Sequence, residues 1–442
     1  MRFIDLAVVC AIGVAVAGGQ TQKSYKDHGE YELYSEVAKD FTANNSSKAL
    51  TDLERWSEKY PDSEFKDDRQ MLYVQAYAGA NQMAKAIDAA GVVLSKDPLP
   101  SDNSASVLRL LYVVVSGIQR VPDASGQQLA IAAKAAHLLE AYDAAPDGVS
   151  PSVWASTRAD LRLSARTALV YIAITPASRA MKTNDCAGAE KSAMKAIQEF
   201  PESVQAAWFL ATAEVCLAKA DPAKASLALY ELARAATLDP AKGMVDSKWQ
   251  QANVVPYLSK AYAQFHGDDP QGLRELKELA VQSPLPPAGF VIKSEAEIAR
   301  AQEDDFESKH PELALWIKIK KALSASDGEH YFESELKDSA VPQLQGVLVE
   351  ARPECRPTEL RISIRLTKDT QNAGPDVLLK LNKPFSGKPE LGNEVHWTGV
   401  ATAFSKEPFL LTMETGPSQI EGSGLSPCQP SPRKKNVPHR GQ

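Results

Sequence analysis

Over most of the chain apolar residues recur every three or four positions, the period of one helix face, and from about residue 343 the interval drops to two, the period of a strand. Tyr31, Tyr34, Val37, Ala38 and Phe41 form the first helical stripe; Asn44-Asn45-Ser46-Ser47 interrupts it, and Ala49, Leu53 and Trp56 resume it up to Tyr60-Pro61. The same plan returns with Tyr73, Val74 and Tyr77 followed by Ala86 and Ala90, closing at Pro98. Between Asp185 and Pro240 it returns again, through Ala189, Ala193, Trp208, Ala211, Ala228 and Leu232. A looser pair spans Ala105 to Pro146, a long run from Pro151 is expected to kink or break near Thr175, and a last pair surrounds Tyr257, Tyr262 and Gly272. Prolines close the units because a missing N–H and a ring clash stop the helix. The predicted architecture is mainly α: about six helical hairpins over residues 29–284, which must stack because one hairpin cannot bury its own apolar face.

Beyond Leu285-Pro286-Pro287, residues 289–340 predict a charged helix from Ser294, an amphipathic one through Leu313, Leu315, Trp316, Ile319 and Leu323, and a short one through Tyr331, Phe332 and Leu336. They are expected to cap the last hairpin. Residues 343–415 read as five short strands, the clearest being Leu360, Ile362, Ile364 and Leu366 alternating with Arg361, Ser363, Arg365 and Thr367. A small barrel or sandwich follows, and Gly392-x2-Val395-x3-Gly399 is compatible with an OB-like barrel. Residues 416–442 are rich in Pro, Ser and Gly and are expected to be a disordered tail.

With 442 residues, 44% hydrophobic and 24% charged, the composition is that of a globular chain, and a formal charge of -7 argues against nucleic acid as a partner. Trp397, Phe404 and Phe409 could offer a stacking platform, but residues 343–415 carry nine basic and nine acidic side chains and so no bias toward phosphate. At the other end, Arg2, the apolar run Leu6 to Ala17 and Ala15-Val16-Ala17 read as a signal peptide over residues 1–19. Its apolar run is shorter than the roughly 20 residues a spanning helix needs, so no transmembrane segment is expected after its removal. Val9 before Cys10 argues against lipoprotein anchoring. The expected location is periplasmic or secreted, where the four remaining cysteines can pair as Cys186 with Cys216 and Cys355 with Cys428.

The seven histidines are scattered, and neither HExxH, GxSxG, a P-loop nor a dinucleotide-binding glycine pattern occurs. No catalytic residue, metal ligand or cofactor site is expected, and the chain reads as a non-enzyme. Arg158, Arg162 and Arg166 share one helix face, either as a solvated surface or as a clamp for a carboxylate.

The small residues Ala49, Ala86, Ala189, Ala228 and Gly272 each stand twelve positions before a closing proline, at 61, 98, 201, 240 and 284. In this the chain resembles the tetratricopeptide repeat (TPR) family, departing from it at Gln70 and Val74, where the family has tryptophan and glycine. The layout, with Tyr60-Pro61-Asp62-Ser63-Glu64-Phe65, Leu313-Ala314-Leu315-Trp316-Ile317, Gly399-Val400-Ala401-Thr402-Ala403-Phe404 and Pro408-Phe409, looks like a group of exported bacterial repeat proteins with a small C-terminal β domain. The resemblance implies a protein-protein interaction scaffold of the bacterial cell envelope, holding a protein or peptide partner on a concave α-solenoid surface built from first helices. Repeat positions two and five fall on Tyr31, Tyr34, Met71, Phe209 and Tyr257. Two other functions compete: an enzyme acting on envelope polymers, and glycan or ligand binding by the β domain.

Overall fold

The computed structural model describes residues 23–96, 99, 104–365 and 374–428. The expected leader at 1–19, Cys10, Pro98, Leu366, Thr367 and the chain beyond 428 lie outside them. The protein is mainly helical with a small closed β-barrel at its C-terminal end, and it divides into two compact units between Lys293 and Ser294.

The first unit contains α1 (His28–Thr42), α2 (Ser46–Lys59), α3 (Lys66–Gly79), α4 (Met83–Leu94), α5 (Ser104–Gly117), α6 (Gly126–Ala141), α7 (Pro151–Lys182), α8 (Cys186–Glu199), α9 (Val204–Leu217), α10 (Ala223–Thr237), α11 (Ser247–Trp249), α12 (Val255–His266) and α13 (Pro270–Ala280). Through α10 the helices pack mainly on their neighbours in sequence, with further contacts skipping one helix, such as α3 on α5 and α4 on α6. The small residues of the repeat pattern sit at these seams: Ala49, Ala86 and Ala189 are completely buried and Ala228 is nearly so. A larger side chain there would overpack the joint.

Three hairpin turns share one device. Asn44, Asn81 and Asn184 all have positive φ, between 53° and 59°, the left-handed conformation asparagine tolerates better than most residues. The next amide then reaches back five residues, Asn45 N to Asp40 O, Gln82 N to Tyr77 O and Asp185 N to Ala180 O, at 2.8–2.9 Å. This is the Schellman closure that satisfies a helix's last carbonyls. Buried arginines bind the opposite ends of the hairpins: Arg69 donates to the carbonyls of Trp56 and Tyr60 at 3.1 and 3.0 Å, and Arg234 to those of Pro201 and Pro284. The expected break near Thr175 does not occur. Pro176 lies inside a continuous α7, and the Thr175 hydroxyl donates to the Tyr171 carbonyl one turn back.

The helices expected to cap the last hairpin belong instead to the second unit. The face they were to cover is occupied by the segment after α13: Phe290 packs on Tyr230 at 5.2 Å, the Tyr230 hydroxyl donates to Ser283 O and Leu285 O, and Ser226 bonds both main-chain groups of Ile292. In the second unit, α14 (Glu295–Lys309) buries no residue, while α15 (Pro311–Ser324), α16 (Gly328–Tyr331) and the π-turn Phe332–Leu336 pack against the barrel. Its strands are β1 (Ala340–Arg352), β2 (Glu359–Ser363), β3 (Val377–Leu381), β4 (Glu394–Lys406) and β5 (Phe409–Thr415). They pair in the order β1-β2-β3-β5-β4 and close through β4 on β1, with β3 and β5 parallel and the other pairs antiparallel. Inward positions alternate as the period of two requires: Leu360, Ile362, Val377, Leu379, Val395, Leu411 and Met413 are fully buried. Trp316, Ile319 and Leu323 of α15 join the same core, so the apolar stripe read as a solenoid cap is part of the barrel.

The expectation of disorder from residue 416 is wrong for 416–428. A short β6 (Ile420–Glu421) pairs with β4, and Ser426 exchanges backbone hydrogen bonds with Lys388 at 2.8 and 2.9 Å. Cys428 then bonds to Cys355, with their Cα atoms 5.8 Å apart. Composition suggested a loose linker, whereas cross-strand bonds and a disulfide fasten it. Cys186 and Cys216 are also paired, at a Cα separation of 6.0 Å.

Candidate functional site

Two aromatic clusters reach the surface of the helical unit. In the first, Trp208 of α9 meets Trp249 and Tyr257 edge to face, with ring centroids 6.0 and 5.5 Å away. Trp249 ends α11, Tyr257 lies in the first turn of α12, and the π-turn Gln250–Val254 joins them. A π-turn under-winds the helix, so residues eight apart, which lie about 80° apart around a regular α-helix, come closer to one line. Gln250 holds this under-wound turn by donating to the carbonyls of Ala235 and Leu238 at 2.8 and 2.9 Å, and Asn253 donates to Trp249 O at 2.8 Å. Trp249 and Tyr257 remain 36% and 39% exposed, and Val215, two turns along α9 from Trp208, is 38% exposed. Large apolar side chains left in water beside one another, with rings already fixed by mutual contact, lose little entropy when a partner covers them.

The second cluster lies between α1 and the turn that leads into α3. Tyr25 stacks on Phe65 with centroids 4.4 Å apart and touches Tyr31 and Tyr34 at 5.4 and 5.7 Å; Tyr34 in turn meets Trp56. Burial, reinforced by Tyr34 and Tyr31, pushes the Tyr25 phenol up to about 12. Beneath it, the buried Glu30 accepts from the Trp56 indole at 3.0 Å and from the Lys26 amide at 2.7 Å. Burial works against its charge, but these bonds and one from Ser63 lower its pKa on balance.

The five residues expected to face a partner do not form one surface. Tyr31 is exposed in the second cluster and Tyr34 half-buried within it; Tyr257 belongs to the first. Phe209, half-buried, packs against the core formed by residues such as Ile174, Ala193, Ile197 and Leu210. Met71 is a correction: it is 4% exposed in the hairpin core and has no surface to offer, because its helix turns that position toward α4 and α5. Trp397 is likewise buried, and Phe404 and Phe409 pack on Phe332 and Trp316, so no aromatic platform stands on the barrel from these three. Arg158 and Arg162 both pair with Asp143, and Arg166 with Glu202. Sequence reasoning missed Tyr25, Phe65 and Trp249, and read Trp208 only as a packing position. The available signal was the density of aromatics around residues 25–34 and 249–257.

A separate group of charges lies inside the stack. Glu214, Glu231 and Arg234 are at most 5% exposed; Arg234 Nη1 donates to Glu231 Oε2 at 3.0 Å, while Glu214 Oε2 and Glu231 Oε1 have no protein partner among the described residues. Among the described residues no three or more His, Cys, Asp or Glu could together hold a metal ion, and no helix is long and apolar enough to cross a membrane. A scan against protein-family models finds no match, and no curated protein sequence matches the chain significantly.

Proposed function

We propose that the chain is an exported scaffold whose stacked TPR-like hairpins hold a segment of a protein partner in the bacterial cell envelope. The observation that carries this reading is the Trp208, Trp249 and Tyr257 cluster: two of its three rings stand in water on a rigid support of packed helices. Tryptophan and tyrosine dominate interface hot spots because they bury much area for few rotatable bonds. Small buried residues at the seams and Schellman-closed turns support a TPR-like stack, and two disulfides support an oxidising compartment. In the barrel, the strand order and the parallel β3 and β5 support an OB-like connectivity, and Trp397, Phe404 and Phe409, which are buried or packed on Phe332 and Trp316, are not arranged as a stacking platform for a glycan. The test is affinity capture from native envelope extract with the full chain and a Trp249→Ala/Tyr257→Ala variant. At roughly 2 kcal/mol for a hot-spot ring, capture should fall at least about tenfold with the melting temperature unchanged. Undiminished capture per folded molecule would refute this surface.

A further inference from the structure

The second aromatic cluster contains a contact of a different kind. The notch between α1 and the turn into α3, walled by Tyr31, Tyr34 and Phe65, is filled by the chain's own Tyr25, which belongs to neither helix. The segment that delivers it has no regular secondary structure and is fastened by polar contacts: Lys23 Nζ to Asp68 Oδ2 at 2.9 Å, and the Ser24 amide to Glu64 Oε2 at 2.8 Å. Glu64 lies just before α3 and Asp68 in its first turn, where Asp67 and Asp68 give an acidic character. Asp27 marks where this strap ends and the body of the fold begins. It caps α1 by accepting from Glu30 N at 3.0 Å, and it accepts from the Tyr60 hydroxyl at 2.6 Å. Residues 23–25 can therefore leave without undoing a helix cap or the Glu30 to Trp56 bond.

Resting on the scaffold reading above, we propose that this notch is a receptor for an extended partner segment carrying a tyrosine flanked by lysine, and that Lys23-Ser24-Tyr25 occupies it in cis until such a segment displaces it. The strap itself defines the chemistry. One aromatic ring enters between three others, an ammonium meets Asp68, and a backbone amide meets Glu64. The aromatic contact supplies specificity for the ring, and the two acidic groups favour a basic flank over an acidic one. An exposed ion pair and a single stacked ring make a weak, reversible latch. A tethered strap acts like a competitor at about millimolar concentration, so partner segments see a notch that is present but discounted.

The experiment uses the full chain and the labelled pentapeptide Lys-Ser-Tyr-Lys-Asp, followed by fluorescence anisotropy. Tyr25→Ala empties the notch and should bind the peptide saturably, at least about tenfold more tightly than the unaltered chain; the peptide with alanine for tyrosine should not bind. Should Tyr25→Ala fail to fold, Lys23→Ala loosens the strap while leaving all four rings and both acidic acceptors for the peptide, and it should bind the peptide at least about threefold more tightly than the unaltered chain; equal affinity would overturn the proposal. Absence of saturable binding to folded Tyr25→Ala, or equal binding of the two peptides, would overturn the proposal. If capture dependent on Trp249 and Tyr257 persisted, the scaffold reading would stand without it.

Discussion

Glu214 reports on how tightly the hairpins close. It lies on α9, 5% exposed, with Glu231 of α10 and Glu190 of α8 as its carboxylate neighbours and Lys224 of α10 as the cation that opposes them. Burial first, then those two carboxylates, push its pKa from 4.5 up to about 8; burial also takes Glu231 to about 7, against the pull of Arg234. Below the ordinary carboxylate pKa both folded and unfolded chains hold the proton. Between 4.5 and about 8 the folded chain keeps a proton that the unfolded chain releases, so stability falls as pH rises through that window and levels off above it. At about 1.4 kcal/mol per pH unit the whole window represents on the order of 5 kcal/mol as an upper limit. Relaxation of the packed helices and the shared field of Glu231 bring the expected effect to roughly half of that. Glu214→Gln keeps the shape and removes the ionisation. Melts followed by circular dichroism should show the unaltered chain losing roughly 5–10 °C between about pH 5.5 and pH 8.5, with the variant losing clearly less, because of the two carboxylates only Glu231 still titrates there, and the two proteins converging at the acid end. Parallel curves for the two proteins would show that Glu214 is not held protonated, and that the seam between α9 and α10 admits water.

Three further outcomes follow from the packing. Arg234→Met removes donors to Pro201 O and Pro284 O and strands the buried Glu231; a loss of roughly 3 kcal/mol at neutral pH is expected in urea titrations, partly recovered by adding Glu231→Gln. Cys428→Ser opens a loop with a sequence separation of 73, and should cost roughly 3–5 kcal/mol of barrel stability and expose residues 416–428 to early proteolysis. A fragment of residues 294–428 should fold and melt cooperatively, whereas 343–415 should not, because it lacks Trp316, Ile319, Leu323, Phe332 and Leu336 of the shared core; amide dispersion in NMR spectra distinguishes the two.

What could be read from the sequence was what local pattern controls. The change of period near residue 343 marks the passage from helices to barrel, and alanines twelve residues before a proline mark the seams, because both depend on neighbours within a turn or a strand. The amphipathic stripe of α15 was legible as well, but not its destination: a stripe says that a face must be buried and is silent on which core receives it. The tail misled for a related reason. Gly, Pro and Ser describe a segment that needs no core of its own, while the bonds to Lys388 and Cys355 that order it come from distant residues. Met71 failed as a surface residue because repeat numbering fixes a position along a helix but not the rotation of that helix against α4 and α5. That Trp249 and Tyr257 both reach Trp208 went unread because the helix joining them is under-wound by a π-turn, which a regular helical period does not register.

The most direct measurement places a photo-crosslinking amino acid at Val215, on the same face of α9 as Trp208 and two turns along from it, and at Leu163, a more exposed apolar position on α7, 54% against 38%. After irradiation of intact cells making the full chain, a discrete adduct with another protein should form from position 215, vanish when Trp249 and Tyr257 are both alanine, and be missing from position 163. Equal adducts from both positions, or one from 215 that survives loss of the two rings, would contradict a partner held on this surface.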